Sequence, residues 1–263
     1  MRWSCGATVT STWCDARAFD AAFGAQRVRH RRRLQPQPQK RRRSHRSGMR
    51  GVAARAGSDA PPPTVLVPMA HGSEEMEVVI IADVLRRAGA TVTIASVEEE
   101  ETCACSRGVK IVADATLAAL SSSTESFDCV VLPGGMPGAK RLADDARVMA
   151  IVEAQLKSER GITAAMCASP GVILAPRGWL DGVAATAHPA FVKDLPSDAS
   201  AEGRVVVDGR VITSRGPGTA IEFALALVEA LFGKDKALEV AGPMVLPPSV
   251  RGAPVAHEWT LES

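Results

Sequence analysis

No apolar run in this chain approaches the roughly 18 residues that a membrane-spanning helix needs, so a membrane span is not expected. The six cysteines include no CxxC pair, which argues against a disulfide framework or a structural zinc site and for a reduced intracellular protein. The glycine-rich stretch LPGGMPGA lacks the Gly-Lys-Ser/Thr ending of a phosphate-binding loop. Acidic residues are nearly missing from one end. Residues 1–58 hold 14 Lys+Arg against only Asp15 and Asp20, a balance of +12, whereas the remainder carries −10. Aromatic residues are not interleaved with the arginine runs, so no base-stacking surface for nucleic acid is read there.

The basic, acid-poor segment has the composition of an organelle transit peptide. Its stretch GVAARAG resembles a plastid processing site, so a chloroplast destination is expected, with the mitochondrion as the alternative. Runs such as KRRR also match nuclear signals or nucleic-acid patches, and an inert disordered tail is the bland reading. Pro61 to Pro63 then form a stiff spacer.

With 263 residues and 46% hydrophobic content, the chain has room for one sizeable domain. From Thr64, short apolar strands alternate with helical patterns. TVLVPMA, TVTIASV, VKIVAD, FDCVVLPGG and ITAAM read as strands. EEMEVVIIADVLRRAG reads as a helix with Met76, Val79, Ile80 and Val84 on its apolar face. A second helix is expected over Asp145 to Ser158, another opens at ASPGVILA, and GTAIEFALALVEALFG is amphipathic and closed by Gly233. RVVVDGRVITS reads as a hairpin turning at Asp208-Gly209. This alternation implies a mostly parallel α/β sheet with helices on both faces. Ligands in such folds bind beyond the carboxyl ends of the strands. That rule selects the loops AHGSEEME, PGGMPGA, CASPG and SRGPGT.

Cys167 falls at a strand-to-helix turn, where unpartnered amides and the helix dipole favour thiolate and the geometry exposes the nucleophile. The competing reading is a packed structural cysteine. Glu74 and Glu75 read as ordinary first-turn acids, but Glu77 lies nearer the apolar side. A carboxyl half-buried beside a cysteine is expected to hold its proton and to donate to the sulfur. His188, after the expected strand VAATA, is either a general base or a packing residue. Gly134 or Gly135, with the amide of Cys167 or Ala168, would suit an oxyanion hole, or else form a plain tight turn. Cys103 and Cys105 are too few for a closed metal site, and Cys129 reads as packing.

The phrases EEMEVVIIADVLRRAGATVTIAS, CSRGVKIVADA, FDCVVLPGGMPGA, ITAAMCASPGVILA, TAHPAF and VITSRGPGTAIEFALALVEALFGK occur in an order that resembles the DJ-1/PfpI superfamily, in its protein deglycase and glutathione-independent glyoxalase branch. The resemblance spans roughly 64–246, leaving a C-terminal extension at 247–263. It implies a flavodoxin-like three-layer sandwich and a homodimer. It implies Cys167 as nucleophile, Glu77 as its protonated partner and His188 as a neighbour. Gly134, Gly135 and Ala168 would line the pocket, with Arg87, Arg107 and Cys105 at the dimer side. A small aldehyde or a glycated protein is the implied substrate, with no metal or other cofactor, no membrane and no nucleic acid.

Departures from the family pattern carry information. Ala168 replaces the histidine that follows the nucleophile in PfpI-type proteases, which argues against a protease triad and equally against an amidotransferase-like reading. CASP stands where the branch has CAGP, so Ser169 adds a hydroxyl near the pocket. Val112 replaces a second cysteine. Two functions remain: conversion of a 2-oxoaldehyde such as methylglyoxal to a 2-hydroxy acid, or non-catalytic redox sensing or chaperoning through oxidation of Cys167.

Overall fold

The computed structural model describes residues 61–120, 126–197, 200–246 and Trp259. The basic segment and most of the C-terminal extension lie outside them. In chain order the elements are β1 (Thr64–Met69), α1 (Glu75–Arg87), β2 (Thr91–Ser96), β3 (Thr102–Ala104), β4 (Lys110–Val112), β5 (Ala115–Thr116) and α2 (Leu117–Leu120). They continue with β6 (Cys129–Leu132), α3 (Gly138–Asp144), α4 (Ala146–Lys157), β7 (Ile162–Met166), β8 (Val205–Asp208), β9 (Val211–Ser214), α5 (Ala220–Phe232) and α6 (Lys234–Ala241).

Seven strands form one sheet in the order β5-β2-β1-β6-β7-β9-β8, parallel throughout except for the β8–β9 hairpin. The alternation of side chains along β1 supplies both faces. Val65, Val67 and Met69 enter a core with α1, α5 and α6, whereas Leu66 and Ala70 enter a second core with α3, α4 and the segment after β7. The result is the expected three-layer sandwich. Strand order reverses between β1 and β6, so the carboxyl-end crevice opens beside the loops after β1, β6 and β7.

Four local expectations change. VKIVAD does not join the main sheet as one strand: β4 pairs with β3 in a separate hairpin, and only Ala115–Thr116 reaches β2. VAATA has no strand pairing; its Thr186 N–H donates to Thr213 Oγ1 at 2.9 Å instead. The β8–β9 turn is centred on Gly209 and Arg210, one residue later than expected. In α1, Met76 and Val79 are 53% and 50% exposed, while Val78, Ile81, Val84 and Leu85 are buried. Apolar residues nearly encircle this helix, so periodicity could not select the stripe that the sheet covers.

Trp259 places one point of the C-terminal extension. Its N–H donates to Val205 O on the edge strand β8 at 2.8 Å, and its indole Nε1–H donates to Glu229 Oε2 on α5 at 2.7 Å. The ring is buried in the α5 core. Cover of this kind removes an open edge that would pair with another chain. Trp259→Ala is expected to cost about 3 kcal/mol, read as a lower urea midpoint.

Candidate active site

Cys167 occupies a left-handed backbone conformation, φ +60°. A non-glycine residue held there stores roughly 1–3 kcal/mol and persists only when its surroundings fix it. They do so here: the Cys167 N–H donates to Ser214 O at 2.9 Å, and its carbonyl accepts from His188 N–H at 2.8 Å. The elbow is thereby clamped between the end of β9 and the 188 segment. The expected α-helix after it is a π turn over Pro170–Leu174 followed by a 3-10 turn over Ala175–Arg177. Pro176 offers no N–H to the Val172 carbonyl, so an α-helical ladder cannot continue. The dipole invoked for the sulfur is therefore short, and individual amides matter more.

Glu77 lies on the buried side of α1 with no solvent exposure. The Glu74 carboxylate caps the helix by accepting Glu77 N–H at 2.8 Å. Glu77 Oε2 accepts Gly134 N–H at 2.7 Å, while Oε1 has no hydrogen-bond partner among the described residues. Burial, the largest influence, raises Glu77 to about 7; the Gly134 amide and Cys167 oppose the rise, and the nearby Glu74 charge adds to it.

Burial and then the Glu77 charge push the Cys167 thiol up to about 12, against the amides of Gly135 and Ala168. Burial therefore opposes the ionisation that the helix N-terminus was expected to favour. The Glu77 charge acts only while that carboxyl is ionised. Once Glu77 is protonated, its O–H becomes a donor to sulfur and joins the two amides. The pair therefore holds one negative charge between them, and neither group titrates alone.

The loop between β6 and α3 must approach the elbow closely. A Cβ on Gly134 would lie 2.5 Å from Cys167 Cβ and 3.0 Å from Glu77 Oε2, so only glycine fits. The proposed oxyanion donors also sort themselves. The Gly134 amide is engaged by Glu77 and the Cys167 amide by Ser214, which leaves Gly135 and Ala168 facing the sulfur.

The side chains of the remaining candidates make no hydrogen bond to the Cys167 sulfur or the Glu77 carboxyl. The half-buried His188 ring accepts Ala190 N–H at Nδ1, 3.2 Å, and stacks edge-on to Phe191; it makes no hydrogen bond to Cys167 or Glu77. Its backbone, not its ring, holds the elbow. Arg87 sits ten residues beyond Glu77 on α1, about 15 Å along the helix, in an exposed ion pair with Asp83 at 2.6 Å. Arg107 is exposed, and its N–H donates to Glu75 Oε1 at 2.8 Å. Within one chain neither arginine is hydrogen-bonded to Cys167 or Glu77. Cys105 is buried, and burial raises its thiol to about 11.

Two residues carry more than their sequence reading gave them. Glu75, expected as an ordinary first-turn acid, is buried and accepts from Ser106 Oγ and Arg107 N, each at 2.8 Å. Burial raises this carboxyl, but its hydrogen bonds together hold it below the usual range. It fastens the β3–β4 hairpin to the start of α1. Ser169 does not offer its hydroxyl to the pocket; it donates to Pro133 O. No spacing rule in the sequence points to either contact, because each partner is brought in by the fold.

A cavity of about 730 Å³ opens elsewhere, lined by Phe127, Asp128 and Gly161 ahead of β6 and β7. It lies at the opposite ends of these strands from Cys167 and its lining holds neither cysteine nor histidine, so the chemistry is assigned to the elbow. Among the described residues no cluster of His, Cys, Asp or Glu is suited to a metal, and no helix is long and apolar enough to cross a membrane.

Residues 63–230 match the DJ-1/PfpI family model. The chain is 42% identical over 210 residues to "Protein DJ-1 homolog B" of Arabidopsis thaliana, covering 80% of this chain but 47% of that one. It thus spans about half the length of that relative. It is 38% identical over 177 residues to "Glutathione-independent glyoxalase DJR-1.2" of Caenorhabditis elegans, covering 66% of this chain and 91% of that protein. The structure of oxidized Toxoplasma gondii DJ-1 superposes with a TM-score of 0.66 at 46% identity, covering 70% of this chain and 98% of that one. With the fold, the elbow cysteine and the matched span in agreement, this chain belongs to the DJ-1/PfpI family.

Proposed function

We propose that this protein is a cysteine-dependent, glutathione-independent glyoxalase that converts small 2-oxoaldehydes such as methylglyoxal to 2-hydroxy acids. The observation that carries the reading is the pairing of Cys167 with a fully buried Glu77 whose proton is held near neutrality. The similarity to a protein named as a glutathione-independent glyoxalase supports it.

The reaction follows from these groups. The Cys167 sulfur bonds to the aldehyde carbon while the carbonyl pair moves to oxygen, between the Gly135 and Ala168 amides. Glu77 protonates that oxygen to give a hemithioacetal. Its carboxylate then removes the C1 proton, forming an enediol, and the proton returns at C2. The resulting thioester is cleaved by water, which releases the 2-hydroxy acid and restores the thiol. The same adduct chemistry on a glycated side chain would amount to protein deglycation. Full-length protein incubated with methylglyoxal in the absence of glutathione should form lactate; no lactate above the enzyme-free rate would end this reading.

A second reading, a redox sensor or chaperone, is favoured by the Gly135 and Ala168 amides, which are equally placed to hold a sulfinate on Cys167. It shares the cysteine but needs no proton transfer by Glu77.

A homodimer is the proposed assembly. Exposed Met76 and Val79 share an outer stripe of α1 with Arg87, and Val109 and Val112 of the β3–β4 hairpin are 51% and 65% exposed. Val79→Asp would bury a charge in that contact and is expected to weaken association about 100-fold, seen as a monomer in light scattering. Residues 1–58 are proposed as an organelle leader, with the chloroplast as destination. A fluorescent fusion of that segment tests this.

A further inference from the structure

One peptide unit beside the elbow is held at both ends. Ser169, which has no solvent exposure, donates its hydroxyl to the Pro133 carbonyl at 2.5 Å. The N–H of the same peptide, on Gly134, donates to Glu77 Oε2 at 2.7 Å. Peptide resonance links the two contacts: a donor on the carbonyl oxygen draws density from nitrogen and makes the N–H a stronger donor. Gly134 cannot shift to compensate, because it already sits against the Cys167 elbow.

We infer that Ser169 is a positioning residue for Glu77, fixing its carboxyl beside Cys167 and adjusting its acidity through the Pro133–Gly134 peptide. This rests on Glu77 as the proton carrier of the proposed reaction. The charged and titratable groups that face Glu77 are Glu74 on its own helix and Cys167 on the β7 elbow. Neither belongs to the relay, so changing Ser169 leaves both in place. A stronger N–H donor favours the ionised carboxyl, so loss of the hydroxyl should raise the pH at which Glu77 ionises.

The test is a carbon-13 NMR titration of glutamate-labelled full-length protein. The Glu77 signal is identified by its loss in Glu77→Gln. Ser169→Ala should move the Glu77 midpoint upward by roughly 0.1–0.7 pH unit. Ser169→Thr, which keeps a hydroxyl, should restore it. The acid limb of the kcat profile should move in step with the titration, with KM nearly unchanged. If Ser169→Ala does not fold, Ser169→Gly is titrated in its place, with the same expected direction. A folded variant without the hydroxyl whose Glu77 midpoint matches the wild type to within about 0.1 unit overturns the relay. The titration needs no substrate. An unmoved midpoint therefore rejects the relay, whereas wild-type protein without methylglyoxal turnover rejects the glyoxalase reading.

Discussion

Cys167→Ser is expected to lower lactate formation from methylglyoxal by at least about 10³-fold while leaving the melting temperature within a few degrees of the wild type. The hydroxyl is a far weaker nucleophile than sulfur, and Glu77, at about 7, is too weak a base to ionise it. The fold should tolerate the change. The hydrogen bonds that hold the elbow, to Ser214 and from His188, are made by backbone atoms and do not depend on the side chain at position 167. A second assay follows oxidation. Mild peroxide should add two oxygens to Cys167 in the wild type and none at position 167 in the variant. Retention of more than a tenth of the wild-type turnover would mean that the reaction does not pass through this sulfur. Loss of the oxidation signal, with no wild-type turnover to lose, would instead favour the sensor.

How much of this site was legible in the sequence depends on whether its contacts are local. The strand-turn position of Cys167 could be read directly, because ITAAM ends where CASPG begins and the strand period is short. The need for glycine at 134 was visible as an unusual run, although its reason, the 2.5 Å approach of a would-be Cβ to Cys167, is not. Burial of Glu77 was inferred from its neighbours, but the same reasoning put Met76 and Val79 inside, and both are exposed. The error has one cause: α1 is apolar on nearly every side, and only the sheet decides which stripe it covers. The ionisation of the sulfur is less legible in the sequence, because dipole arguments leave out desolvation, which here opposes the amides. Ser169, Glu75 and Trp259 could not be read at all. Their partners lie 36, 31 and 30 residues away at Pro133, Ser106 and Glu229, and nothing in a linear pattern joins them.

Glu77→Gln separates the functional readings, because it should move activity and stability in opposite directions. Glutamine fills the same volume, and its carbonyl can accept the Gly134 N–H now received by Oε2. Its amide nitrogen takes the place of Oε1, which has no hydrogen-bond partner among the described residues, and remains available as a donor. It cannot carry a proton between carbon and oxygen, so kcat should fall by about 10²–10⁴. Stability should respond to pH. Burial raises the Glu77 carboxyl from 4.5 to about 7, so the native state holds this proton more tightly than the unfolded chain. The stabilisation is complete below about 4.5 and is lost as pH climbs through about 7, a loss on the order of 3 kcal/mol by pH 8. Glutamine does not ionise and escapes that loss. The wild type should therefore melt at lower temperature at pH 8 than at pH 5, while the variant changes less and overtakes it above neutrality. The wild-type kcat/KM should rise with pH through about 7, as the Glu77–Cys167 pair gains its single negative charge. A variant that keeps turnover within threefold of the wild type removes Glu77 from the reaction. One that loses turnover yet still accumulates sulfinate on Cys167 shows that the proton shuttle and the oxidation pocket are separable properties of the same elbow.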